Sequence, residues 1–196
     1  MRSHTSLRRS LGLAGALACA FAVTAGGAAA QTGGAAPPGS TEPTPTTPTT
    51  PTSGTPGLAT LQPDGSALAP PDAPREVRKA INAANRIRHK PYLWGGGHRS
   101  FKAKGYDCSG AVSFVLRAAG LLKRPMASGP FMKWGERGIG QWITVYANKG
   151  HAYAVIAGLR WDTSAVGESL RRGSGPRWRA TARSARGYKA RYWQGL

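Results

Sequence analysis

The chain has 196 residues, with 27 Lys and Arg against 8 Asp and Glu and a formal net charge of +19. That length allows one ordinary domain plus a tail, and two cysteines exclude a disulfide-dense scaffold or a four-thiolate zinc site. A hydrophobic share of 40% with six Trp excludes a wholly disordered polymer, and the charge surplus favours an anionic partner.

The first element, residues 1–30, reads as a secretory signal peptide. Arg2, Arg8 and Arg9 precede an apolar run from Leu11 to Thr24, and Ala28-Ala29-Ala30 supplies a small-residue cleavage site. The run is shorter than the roughly 20 apolar residues of a spanning helix, so no stable membrane insertion is expected after cleavage. Arg8-Arg9 leaves Sec and twin-arginine export both open. Residues 31–74 hold eleven of the 15 prolines and no aromatic residue. Such a segment buries too little apolar surface to offset its ordering entropy and is expected to be a disordered Pro/Thr-rich linker. Residues 75–196 carry 15 of the 16 aromatics and 24 of the 27 basic residues against five acidic ones, so the whole surplus of +19 belongs to this segment.

Within that segment, Val77, Ala80, Ile81, Ala84 and Ile87 have helical spacing, which predicts a helix over 76–89 ended by Pro91. Trp94-Gly95-Gly96-Gly97 reads as a loop. A second helix is expected over 108–119, with Asp107 as N-cap and Gly120 after its end. Residues 121–140 read as irregular. Strands are expected over 142–146, 151–156 and 159–163, the last two joined by a hairpin at Ala157-Gly158. The tail from Pro176 to Trp193 alternates basic and aromatic residues and suits one further strand. Helices followed by strands give an α+β class.

With Cys19 lost in the signal peptide, Cys108 is the single cysteine of an exported chain. A leftover thiol in an oxidising compartment needs a reason: an intermolecular bridge, burial, or catalysis. Its place at a helix start favours the thiolate and offers backbone N–H groups to an oxyanion. Ser109-Gly110 follow as small residues that let a substrate approach the backbone. A thiolate nucleophile needs a base, usually His. His89 ends a basic helix and suits a solvated position, and His98 follows the glycine run, which suits a loop or substrate-edge role without marking either one specifically. His151 opens a strand after a Gly turn and is the candidate base. A two-residue hairpin loop pairs Tyr153 with Asp162 and puts Asp162 on the His151 face, whereas a one-residue slip puts Thr163 there.

These residues resemble the NlpC-type family of cell-wall cysteine peptidases. Pro91-Tyr92-Leu93-Trp94-Gly95-Gly96 looks like its PYxWGG loop, Asp107-Cys108-Ser109-Gly110 its DCSG motif, and Gly150-His151 the start of its base strand. The resemblance implies a papain-like α+β fold with N-terminal helices packed on an antiparallel sheet. It implies hydrolysis of an amide bond in peptidoglycan stem peptides, typically between γ-D-glutamyl and the following diamino acid. It also implies Cys108 as nucleophile, His151 as base, and Tyr92, Asp107 and Ser109 in the substrate cleft, the last two beside a free peptide amine. Two departures mark a divergent branch: Gly138-Ile139-Gly140-Gln141 replaces a Pro-Gly-Asp turn, and the third catalytic position falls on Asp162.

The expected protein is therefore a secreted, cell-wall-located cysteine peptidase using Cys108, His151 and Asp162, with no cofactor and no metal. Its expected partners are peptidoglycan stem peptides and anionic wall polymers. A wall-binding module of the same fold without turnover is the alternative. The basic-aromatic tail also suits nucleic acid, but export and the lack of a nucleic-acid motif argue against a specific one.

Overall fold

The computed structural model describes residues 56–164 and 175–196. The signal peptide expected over 1–30 and the first part, 31–55, of the linker expected over 31–74 lie outside the described residues, as does Glu168.

The linker reading fails from residue 57 onward. Strands β1 (Thr60–Leu61) and β2 (Ala67–Leu68) form a hairpin. Its turn is closed by Gln62 N–H to the Ser66 carbonyl at 2.7 Å, with Gly65 at φ +78°. Asn85 of the first helix donates to the Ala67 carbonyl and accepts from its N–H, both at 2.9 Å. Ala59, Ala67 and Ala73 are buried in the core. Proline density misled because Pro63 and Pro70 sit in turns of a packed segment, and alanines too small to signal a core make its contacts.

Helix α1 (Arg75–Ile87) buries Val77, Ala80, Ile81, Ala84 and Ile87, the stripe its spacing predicts, and also Ala83. Helix α2 (Cys108–Ala118) starts at Asp107, whose carboxylate accepts from Gly110 N–H at 2.7 Å. Gly120, at φ +83°, turns the chain out of it. The stretch expected to be irregular contains a short helix α3 (Ser128–Phe131) and a strand β3 (Glu136–Arg137).

Strands β4 (Ile143–Ala147), β5 (Ala152–Ile156) and β6 (Leu159–Asp162) form an antiparallel meander. Ile143, Val145, Ala147, Ala152, Ala154, Ile156 and Trp161 form its buried face. The Trp161 indole N–H donates to the Ala111 carbonyl of α2 at 3.3 Å, which fixes helix against sheet. The tail gives two strands rather than one. Strand β7 (Arg177–Arg179) pairs with β6, and β8 (Lys189–Tyr192) with β4 and β3. The sheet order is β3-β8-β4-β5-β6-β7, so residues 180–188 cross from one edge strand past three others. Helices followed by an antiparallel sheet make this an α+β chain.

Candidate functional site

The hairpin at Ala157-Gly158 sets the site. Ala157 (φ +45°) and Gly158 (φ +81°) both take left-handed backbone, as a two-residue primed turn requires. The register that follows pairs Ile156 with Leu159 and Ala154 with Trp161, which puts Asp162 opposite Tyr153 and on the same face as His151. His151 Nε2 lies 2.9 Å from Asp162 Oδ1. The slipped register, with Thr163 in that place, does not occur.

Cys108 stands at the first position of α2, 9% exposed. Its thiol hydrogen-bonds to the His151 side chain and takes the Ala152 N–H. Burial pushes the thiol pKa up, but those two bonds and the positive charge of a protonated His151 outweigh it, and the net shift is downward despite opposition from the Asp107 charge. For His151, burial pushes the pKa down, yet hydrogen bonds to Asp162 and Cys108 raise it to about 9. Burial likewise pushes Asp162 up, while the His151 bond, the Ser164 N–H and the Arg183 charge bring it below the ordinary carboxylate range. The three shifts agree in direction: each favours the charged form of thiolate, imidazolium and carboxylate, at the positive end of a helix.

Asp162 is 1% exposed and both its oxygens are held. Oδ1 also accepts from Ser164 N–H at 2.8 Å, and Oδ2 from Arg183 Nη1 at 3.0 Å, with Arg160 Nε at 3.7 Å. Arg183 has no sequence signal: it is one of several arginines in a basic tail, and only the crossing of residues 180–188 brings it here.

The glycine-rich loop packs on the start of α2. An isolated bridge joins Tyr92 to Tyr106, and Asp107 N–H donates to the Gly96 carbonyl at 3.2 Å. Gly110 is glycine for this contact: a Cβ there would lie 2.0 Å from the Gly96 oxygen. Its smallness therefore serves loop packing, where substrate approach was expected. Tyr92 is 36% exposed, and burial together with the negative charges of Cys108 and Asp107 raises its phenol pKa.

Asp107 and Ser109 form a second cluster with His98. The Asp107 carboxylate accepts from Gly110 and Gly95 N–H, lies 2.9 and 3.0 Å from His98 Nε2, and accepts from Ser109 Oγ at 3.3 Å. Ser109 Oγ is 3.2 Å from the same ring nitrogen. His98, for which the sequence suits only an unspecific loop or substrate-edge role, joins this cluster, whereas His89 is exposed beyond α1 as expected. All six residues singled out in the sequence meet around the first turn of α2 and the ends of β5 and β6.

No family model and no curated protein matches the chain. Among solved structures, a hypothetical invasion protein of Mycobacterium tuberculosis is similar at 23% identity and TM-score 0.44, over 69% of this chain and 71% of that one. RipD of the same organism, described as a non-catalytic NlpC/p60 domain protein adapted to peptidoglycan binding, is similar at 20% identity and TM-score 0.44, over 61% of this chain and 98% of its own. RipA, a protein that interacts with a resuscitation promoting factor, matches in a histidine-substituted form at 23% identity and TM-score 0.43, over 69% and 71%.

Proposed function

We propose that this chain is an exported, cell-wall-located cysteine peptidase with a papain-like NlpC-type domain. It hydrolyses an amide bond in peptidoglycan stem peptides, of the γ-D-glutamyl–diamino acid endopeptidase type. The observation that carries the reading is the line Cys108–His151–Asp162, in which the thiol pKa is lowered and the imidazole is held at about 9.

In this reading Cys108 Sγ attacks the scissile carbonyl and forms a C–S bond. Backbone N–H groups at the start of α2 receive the oxyanion. His151 passes its proton to the departing amine as the C–N bond breaks, leaving a thioester on Cys108. It then takes a proton from water, whose oxygen attacks the thioester, and the acid and the thiol are released. Asp162 keeps the imidazole oriented throughout. Tyr92, Asp107 and Ser109 border the peptide. The +19 charge concentrates the enzyme on anionic wall polymers.

One observation favours the second reading, a wall-binding module without turnover: Asp107 is already engaged by Gly95, Gly110, Ser109 and His98 within the chain. Mass spectrometry of defined stem peptides incubated with the full chain separates the two. The peptidase reading expects two fragments cut after the D-glutamyl residue. Peptides that are bound but recovered intact favour the module.

A further inference from the structure

Asp162 sits in an unusual place for a charge. Its carboxylate has no exposed surface, and a buried charge is costly unless both oxygens are satisfied. Oδ1 is committed to His151 and the Ser164 N–H. Oδ2 accepts from the guanidinium of Arg183 at 3.0 Å, with a side chain 15% exposed, while the buried Arg160 Nε stands farther off at 3.7 Å.

Arg183 is itself held on three sides. Its Nη2 donates to the Tyr188 hydroxyl at 2.7 Å. Its guanidinium carbon lies 5.3 Å from the ring centroids of both Tyr153 and Tyr188. These rings meet edge to face at 5.2 Å, and Tyr146 stacks on Tyr153 at 4.9 Å. Tyr188 returns to the site, its ring edge-on to His151 at 6.3 Å. The contacts therefore close a circuit: Asp162 to His151, His151 to Tyr188, Tyr188 to Arg183, and Arg183 back to Asp162.

We infer that Arg183, clamped by Tyr188, is a positioning residue for the Cys108–His151–Asp162 line: it fixes the carboxylate from the side opposite the imidazole. The crossing segment 180–188 is then part of the site although it lies more than 70 residues from Cys108 in the chain. Arginine suits the position because its planar fork reaches a carboxylate and a phenol at once while stacking on aromatic faces, of which lysine keeps the charge on the carboxylate and loses the rest. The inference rests on the proposed thiol chemistry, and its test reads the thiol directly.

The second-order rate of Cys108 alkylation by iodoacetamide at pH 6.5 reports the ion pair without any substrate. Arg183→Met is expected to slow it about tenfold, as for loss of one charge-assisted hydrogen bond. Arg183→Lys should recover part of the rate. On stem peptides the same variant should lose kcat with KM unchanged. A wild-type alkylation rate in Arg183→Met overturns the inference. So does a loss that Lys does not relieve at all, the mark of a general packing defect. If Arg183→Met fails to fold, Tyr188→Phe removes a single oxygen and should slow alkylation roughly threefold; an unchanged rate overturns the inference equally. Fast alkylation in a wild type that leaves peptidoglycan intact refutes the peptidase reading and leaves this one standing.

Discussion

Replacing Asp162 with Asn tests the site at its most buried member. The amide keeps the shape of the carboxylate but removes its charge and turns one oxygen into a donor. Oδ1 has two donors to satisfy, His151 and the Ser164 N–H, so the amide nitrogen must face Arg183 Nη1, where Oδ2 now accepts at 3.0 Å. Donor then meets donor in a pocket the solvent does not reach. Removing one partner of a buried ion pair costs about 3–5 kcal/mol, and the partial exposure of Arg183, 15%, reduces this toward about 2–3 kcal/mol. The imidazole loses its charged acceptor, a bond worth about 1.5–3 kcal/mol. If that difference appears in the transition state, turnover falls roughly 10- to 150-fold. The His151 pKa should drop from about 9 toward its ordinary 6.5. Alkylation of Cys108 across pH, read beside a thermal melt, checks both effects. A variant with the wild-type alkylation profile would refute the coupling of Asp162 to the thiol.

The remaining predictions address the other parts of the site. Asp107→Ala removes an N-cap and should cost about 1 kcal/mol in denaturant unfolding; it should also lower the thiol pKa further, because the Asp107 charge opposes the thiolate. Gly110→Ala places a methyl group 2.0 Å from the Gly96 oxygen and should displace the loop, seen as a large fall in melting temperature and increased protease cutting near residue 96. His151 has a folded pKa raised above its unfolded 6.5, so its contribution to stability is complete below that pH and is lost as pH rises through about 9. Asp162 has a lowered folded pKa, so its contribution holds above its ordinary 3.8 and is lost on further acidification. Melts of wild type and His151→Ala between pH 6 and 10 should therefore converge at the alkaline end. A chain trimmed to begin at Arg75 should melt below one beginning at Pro56, since it lacks the hairpin that Asn85 holds.

The line from Cys108 to Asp162 was legible because each step rests on a local rule. Asp107 caps a helix, a Gly turn precedes His151, and a two-residue hairpin loop brings Asp162 to the His151 face, with the slip to Thr163 left for the structure to exclude. Periodicity found α1 and α2 for the same reason. What lay beyond reach depends on long-range pairing. Nothing local says that Trp178 pairs opposite Trp161 at one edge of the sheet while Arg191 pairs with Val145 on its other side. Without that split the path of residues 180–188 is unknown, and Arg183 is one arginine among many. His98 escaped because its role depends on a loop folded back by close glycine contacts. The stretch 57–74 escaped because composition averages over turns and small buried alanines.

Release of soluble fragments from purified peptidoglycan, compared between wild type and Cys108→Ala, tests the peptidase reading most directly. The proposed chemistry predicts release by the wild type and none by the variant. Equal release by both, or none by either across several wall types, would contradict it.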